Sequence, residues 1–191
     1  MYRKIHIMND KKGKLYGTRV YLAGNLEYTT ENHARGWRDY LAEELGQLGI
    51  KTLDPTMVVF EGQPHETEEV RERLKTSRDE GRFDEVVDYM VPVVQKDLRQ
   101  IDLSDFVIFN ISINKPTFGT IHELVIAIQQ KKPVFICVGD KKKTPLWLLG
   151  IVPHRYFYDS VSEIFEKIQK INSGEEGIDS DRWRLLIDEL R

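Results

Sequence analysis

The chain has 191 residues, of which 28 are lysine or arginine, 31 are aspartate or glutamate and 40% are apolar. This length predicts a single domain over 1–191 with a sizeable core, and the net charge of −3 lacks the basic excess of a protein that binds nucleic acid polymers. One cysteine, no signal-like N-terminus and no stretch near the roughly 18 apolar residues of a membrane span predict a cytoplasmic protein without a membrane partner.

The first third of the chain alternates between strand and helix patterns. Residues 1–17 are predicted to form an arm or hairpin, because isolated isoleucines alternate with polar neighbours before a turn-forming stretch. A buried strand is expected over 18–24, and apolar residues spaced by three and four predict a helix from Ala34 to Leu48. A second strand follows over 50–53.

The remaining chain repeats this alternation with longer helices. Residues 61–80 are predicted to form a charged helix or lid, and an amphipathic helix follows over 83–101, where Pro92 predicts a kink or a break. Later elements are predicted in the order strand 105–111, a helix carrying Ile121 to Ile128, strand 134–138, a helix opened by a capping box at 160–163, and a C-terminal helix within 178–191.

Alternating strands and helices predict an α/β fold, a doubly wound (flavodoxin- or Rossmann-like) parallel sheet of about five strands with helices on both faces. Such sheets bind ligands beyond the carboxyl ends of their strands. The segments from Gly24 onward and over 112–120 follow two buried strands, so a site is expected in these loops.

Several common site chemistries are missing from the sequence. It contains neither of the glycine-rich phosphate loops, G-x-x-x-x-G-K-[ST] and G-x-G-x-x-G. His122-Glu123 resembles the start of a zinc-protease helix, but the second histidine is replaced by Ile126. Five scattered histidines and one cysteine show no metal-ligand spacing, so no metal site is predicted.

Three polar residues at predicted strand tips and helix faces are candidates for chemistry. Glu123 is expected in the first turn of a helix, where the helix dipole keeps a carboxylate ionised, although a capping glutamate would look the same. Asp97 lies on the core-facing stripe of its helix, where a carboxylate is either paired or functional. Tyr21 lies in a central strand, either as packing or with its hydroxyl at the strand tip.

A larger ordered pattern surrounds these residues. It comprises Val20-Tyr21-Leu22-Ala23-Gly24, Trp37-Arg38, Asp54-Pro55, Asp97-x7-Asp105-Phe106-Val107-Ile108, Phe118-Gly119-Thr120-x2-Glu123-Leu124-x2-Ala127 and Lys132-Pro133-Val134. In order and spacing over about residues 18–138, it resembles the nucleoside 2-deoxyribosyltransferase family, including the related nucleoside 5′-monophosphate N-glycosidases. The segments 61–80 and 181–191 lie outside the pattern.

The resemblance implies a division of roles. Glu123 matches the nucleophile that attacks the sugar C1′, Asp97 the acid that protonates the departing base, and Tyr21 the phenol that orients the nucleophile. Substrate contacts are expected from Gly24, Asn25, Thr117, Gly119 and Thr120. The family's reaction needs no cofactor. Its partners are a small-molecule nucleoside or nucleotide and a free nucleobase, and family members form homo-oligomers.

Thr117 departs from the transferase pattern. Transferases of this family often have an aspartate six residues before the nucleophile, whereas the related N-glycosidases have a small hydroxyl residue that binds phosphate. The sequence therefore favours a deoxyribosyltransferase, with a (deoxy)nucleoside 5′-monophosphate N-glycosidase as the alternative. Two other classes stay open: a nucleotide-binding sensor without turnover, and an interaction protein that uses segment 61–80 and the helix containing Trp183.

Overall fold

The computed structural model of this protein describes residues 12–26, 30–57, 66–115 and 117–187. Within these residues, strands and helices alternate along the chain. In chain order they are β1 (Arg19–Gly24), α1 (Glu31–Gln47), β2 (Lys51–Leu53), α2 (Glu68–Asp79), α3 (Phe83–Leu103), β3 (Phe106–Asn110), α4 (Phe118–Gln129), β4 (Val134–Cys137), α5 (Leu146–Ile151), β5 (Phe157–Tyr158) and α6 (Val161–Ser173), with short 3-10 turns at Lys141–Lys143, His154–Tyr156 and Arg184–Leu186.

The five strands form one parallel sheet in the order β2-β1-β3-β4-β5. Helices cover both faces, so the predicted doubly wound α/β fold is confirmed. The chain moves outward from β1 to β2 and then crosses back to place β3 on the other side of β1. This reversal creates a topological switch point between β1 and β3, the position where such sheets bind ligands.

The pleat of β1 divides its side chains between two cores. Val20 and Leu22 pack with α1 and α6 on one face of the sheet. Tyr21 and Ala23 point to the opposite face and pack with residues of α3 and α4. Because successive strand side chains alternate between faces, the register of β1 fixes Tyr21 on the same side of the sheet as these two helices.

The number of strands was predicted correctly, but the fifth strand was not identified. The pair Phe157–Tyr158 is too short to show a periodic signal, and it forms a strand because it hydrogen-bonds beside β4. Helix α5 was also missed. The predicted arm over 1–17 lies largely outside the described residues, as does the end of the predicted C-terminal helix. The described part of that segment contains a single 3-10 turn, Arg184–Leu186.

Trp183 is only 2% exposed and packs 5.5 Å from the ring of Phe106, measured between ring centres. It therefore serves the core, and the idea that a helix carrying Trp183 contacts a partner protein is not supported.

Helix α3 continues from Phe83 to Leu103 through Pro92, so the predicted break is absent. Its predicted core-facing stripe is also less buried than expected, since Val87 and Val94 are exposed while Val93 and Ile101 are buried. Helix α2 packs against α3 and accounts for the helical part of the charged segment 61–80; residues 61–65 of that segment lie outside the described residues.

Candidate active site

A cavity of about 170 Å³ lies at the switch point between β1 and β3. The carboxyl ends of these strands are adjacent, with Gly24 paired to Asn110. From there the chain leaves toward α1 on one face and toward α4 on the other. All eight residues predicted to form the site line this cavity: Tyr21, Gly24, Asn25, Asp97, Thr117, Gly119, Thr120 and Glu123.

The floor of the cavity holds a hydrogen bond between two buried side chains. The Tyr21 hydroxyl donates to Glu123 Oε1 at 2.7 Å. Tyr21 is completely buried and Glu123 is 9% exposed. Burial raises the pKa of Tyr21 well above its usual value, and the negative charge of Glu123 raises it further. The phenol therefore stays protonated and acts as a fixed donor to Glu123 Oε1.

Glu123 is the sixth residue of α4, which begins at Phe118. The expectation that it lies in the first turn, ionised by the helix dipole, is therefore wrong, because the dipole acts within the first turn only. Burial instead raises the pKa of Glu123 to about 8, and the hydrogen bond from Tyr21 opposes that rise. With this pKa, the carboxyl group is mainly protonated at pH 7.

Asp97 lies on α3 and reaches the same cavity. Its Oδ1 atom is buried without a hydrogen-bond partner among the described residues. Lys96 Nζ lies 3.4 Å away and attracts it as an ion-pair partner. Burial raises the pKa of Asp97 to about 6, and Lys96 limits the rise. Between pH 6 and pH 8 the pair of carboxyl groups therefore carries one proton, mainly on Glu123.

Arg38 holds the carboxyl end of β1. It is completely buried, although it carries a charge. Its guanidinium donates to the carbonyl oxygens of Leu22 at 3.1 Å and Gly24 at 2.9 Å, and also to that of Ala34. Asp54 Oδ1 lies 3.6 Å from Arg38 Nε and supplies the counter-charge. These contacts fix the strand that carries Tyr21, and the positive charge lowers the pKa values of Glu123 and Asp97.

The N-terminus of α4 forms one wall of the cavity. Thr117 is the N-cap residue, and its side chain makes no capping hydrogen bond. The first backbone N–H groups of a helix lack acceptors within the helix and favour an anion. A Cβ atom added to Gly119 would meet no atom within 4 Å, so the wall is open there.

The end of β1 forms a second wall. A Cβ atom added at Gly24 would lie 2.9 Å from the Trp37 ring and 3.0 Å from the Asn110 carbonyl oxygen, so only glycine fits. Asn25 follows directly, and its Oδ1 accepts a hydrogen bond of 3.4 Å from the Ser112 backbone N–H. This bond joins the loops after β1 and β3 at the mouth of the site.

A family model described as nucleoside 2-deoxyribosyltransferase matches residues 20–171. The chain belongs to this family. Comparison with curated proteins finds no match. Among solved structures, the chain is similar to a CMP N-glycosidase, BcmB, from Clostridium botulinum. Sequence identity is 14%, the TM-score is 0.46, and the alignment covers 79% of this chain and 97% of that chain.

The sequence analysis does not predict every residue that lines the cavity as a site residue. Pro55, Glu66 and Met90 also line the cavity. Glu66 and Met90 come from the charged segment and from α3, and neither position carries a motif that distinguishes it from a surface residue. Arg38 belongs to the family pattern in the sequence, but the pattern does not show its role. Its hydrogen bonds to the carbonyl oxygens of β1 show that it holds the end of this strand.

Among the described residues, no three histidine, cysteine, aspartate or glutamate side chains come together as metal ligands. Across the same parts of the chain, no helix combines the length and apolar character needed to span a membrane.

Proposed function

We propose that this protein cleaves the N-glycosidic bond of a 2′-deoxynucleoside or 2′-deoxynucleotide and transfers the sugar to a second base. The observation that supports this is the buried hydrogen bond from Tyr21 to Glu123 in a cavity that Asp97 also lines. Cleavage of a glycosidic bond passes through an oxocarbenium-like state, which one carboxylate traps covalently while a second carboxyl group moves the proton.

In the first step, ionised Glu123 attacks the sugar C1′ atom and forms an ester. The bond from C1′ to the base nitrogen breaks, and its electron pair stays with the base, which takes a proton from Asp97. In the second step, Asp97 accepts a proton from the incoming base, whose nitrogen attacks C1′ and releases Glu123. Two inversions give net retention at C1′.

A pair of carboxyl groups that carries one proton near neutral pH fits this sequence of events. Reaction requires the proton on Asp97 and the charge on Glu123, the reverse of the distribution that the two pKa values give. The net charge of the pair is the same in both arrangements. A bound base that accepts a hydrogen bond from Asp97, and a developing positive charge at C1′ beside Glu123, both favour the reactive arrangement.

A second candidate function is hydrolysis of a (deoxy)nucleoside 5′-monophosphate. The observation in its favour is Thr117, whose hydroxyl makes no capping bond at the N-terminus of α4. That hydroxyl, together with the N–H groups near Gly119 and Thr120, suits a 5′-phosphate. Water would then take the place of the incoming base in the second step.

The two activities are distinguished by incubation with 2′-deoxynucleosides and their 5′-monophosphates, with and without a different free base, followed by chromatography. A swapped base indicates a transferase, and free base without exchange indicates a hydrolase. Binding without turnover indicates a sensor and contradicts the proposal. Glu123→Gln abolishes turnover, whereas Glu166→Gln, at an exposed position on α6, retains it. Intact mass spectrometry of acid-quenched wild-type enzyme should detect the attached sugar, and the adduct should be missing from Glu123→Gln.

A further inference from the structure

A second cavity, of about 240 Å³, lies between α2 and α3. It adjoins the candidate active site, because Glu66 and Met90 line both cavities. Its other walls are formed by Arg71, Leu74, Lys75, Arg78 and Val86. Three of these side chains are basic, and Glu66 is the only acidic residue in the described lining.

Arg71 is buried, and its surroundings among the described residues supply no counter-charge. It is 9% exposed, and its Nη1 atom donates a hydrogen bond of 2.9 Å to the backbone carbonyl of Glu66. Over the residues that the structure describes, no carboxylate forms an ion pair with it. A buried guanidinium is costly unless it is paired, and its remaining donors suit an oxyanion that enters the cavity.

The other two basic residues are paired with carboxylates at the surface. Lys75 Nζ lies 2.7 Å from Glu72 Oε1, and Arg78 Nη2 lies 3.1 Å from Asp79 Oδ1. Both acidic partners are largely exposed, and exposed ion pairs of this kind are weak. Lys75 and Arg78 therefore line the cavity beside Arg71 as secondary cations.

The position of this cavity relative to Asp97 indicates which part of a substrate would reach it. Met90 precedes Asp97 by seven residues on α3, which places both on the same side of the helix, two turns apart. In the proposed reaction Asp97 protonates the leaving base. Consider a group that is attached to the base and points along α3, away from the N-terminus of α4. Such a group would pass Met90 and enter the cavity between α2 and α3.

We propose that this cavity binds an acidic substituent of the base, a carboxylate or a phosphate, with Arg71 as its main ionic partner. The inference rests on the proposed function and adds a substrate class to it: nucleosides or nucleotides whose base carries an anionic side arm. Arg71 is then a residue that determines specificity for the leaving or incoming base.

Binding of free bases tests this proposal without requiring turnover. Calorimetry compares two matched pairs, adenine with N6-succinyladenine and uracil with uracil-5-carboxylate. We expect the acidic member of at least one pair to bind the wild-type protein about 10- to 100-fold more tightly, the usual effect of a hydrogen bond to a charged group. Arg71→Met should lose this preference and Arg71→Lys should keep part of it. Arg73→Met is the control: Arg73 lies on α2 like Arg71, but its guanidinium lies over the Tyr89 ring and outside this cavity.

The outcomes separate this inference from the proposed function. Equal binding of both members of each pair, or a preference that survives in Arg71→Met, overturns the inference. Turnover of nucleosides without any preference for an acidic base overturns it too, and leaves the proposed function intact. An Arg71-dependent preference without turnover supports the subsite and overturns the proposed reaction. If Arg71→Met does not unfold cooperatively on heating, Arg71→Lys is compared with the wild type instead. A preference for the acidic base that is undiminished in Arg71→Lys then overturns the inference.

Discussion

The hydroxyl of Tyr21 donates a hydrogen bond of 2.7 Å to Oε1 of Glu123, although 102 positions separate the two residues along the chain. The bond favours the ionised form of Glu123 and lowers the pKa of this carboxyl group, against the opposing effect of burial. The same contact holds the carboxylate in one orientation in the floor of the cavity. It therefore affects both the geometry and the charge of the group that we propose as the nucleophile.

Tyr21→Phe should move the alkaline limb of the pH profile to higher pH and lower the maximum rate. In the wild type, kcat/KM should be bell-shaped between limbs near the pKa values of about 6 for Asp97 and about 8 for Glu123. Loss of the hydrogen bond raises the pKa of Glu123 and makes the reactive arrangement rarer, so kcat/KM should fall about 10- to 100-fold.

The matched control is Tyr40→Phe, because Tyr40 lies on α1 and its ring contacts Phe165 away from the site. Its profile should equal that of the wild type. An unchanged alkaline limb in Tyr21→Phe would contradict a role for the phenol in the ionisation of Glu123.

Asp97→Asn should lower kcat/KM by about 100- to 10,000-fold for ordinary bases, the usual contribution of general acid catalysis. The loss should be much smaller for 7-methyl-2′-deoxyguanosine, whose cationic base departs without protonation. Steady-state kinetics on both substrates measure the difference. Asp88→Asn, at an exposed position on the same helix, serves as the control, and equal losses on both substrates would argue against an acid role for Asp97.

Glu123→Gln should gain stability relative to the wild type as the pH rises from about 4.5 to about 8. In the folded protein the pKa of Glu123 is raised from 4.5 to about 8, so the folded state binds the proton more tightly than the unfolded chain. The resulting stabilisation is complete below pH 4.5 and is lost toward pH 8, at up to about 1.4 kcal/mol per pH unit.

Urea unfolding of both proteins at pH 5, 6.5 and 8 measures this effect as a difference in the free energy of unfolding. Glu166→Gln, at an exposed position on α6, is the control for the loss of one carboxyl group. A constant difference between Glu123→Gln and the wild type would mean that the Glu123 carboxyl group is not perturbed by burial.

Arg38→Met should lower the free energy of unfolding by about 3–5 kcal/mol, because it leaves Asp54 and three carbonyl groups without their buried partner. Arg38→Lys keeps the charge but loses the forked donor geometry, so its loss should be smaller. Urea unfolding at pH 7 measures both. Arg99→Met is the control, since the Arg99 side chain is 67% exposed, and a loss as large there would point to a nonspecific effect.

Gly24→Ala should lower the free energy of unfolding by about 1–3 kcal/mol, because the added methyl group meets the Trp37 ring and the backbone of β3. Gly36→Ala should raise it by about 0.5–1 kcal/mol, since Gly36 lies on α1 with nothing within 4 Å of an added Cβ atom. Thermal and urea unfolding should show changes in the free energy of unfolding of opposite sign for the two variants. A change of the same sign would contradict the crowding at Gly24.

The order of strands and helices could be predicted because each long element carries its own periodic pattern. The run around β3 is apolar at consecutive positions, as expected for a strand buried on both faces. Ser160 was recognised as the start of α6, and its hydroxyl accepts a hydrogen bond from the Glu163 N–H. The Glu163 carboxylate accepts from the Asp159 N–H, one residue earlier than a capping box requires. The strand Phe157–Tyr158 could not be predicted, because a two-residue strand depends entirely on the neighbour that it joins.

The sequence by itself determined the class of fold and indicated Tyr21, Asp97 and Glu123 as candidate site residues, because residue types and their spacing can be read along the chain. Only the tertiary structure decided the electrostatics of that site. Burial raises the pKa values of Glu123 and Asp97, and Arg38 lies close enough to oppose the rise. Burial and distance depend on how α3, α4 and β1 pack, and residues 21, 97 and 123 meet only in the folded chain. The cavity around Arg71 is likewise a product of the packing of α2 on α3.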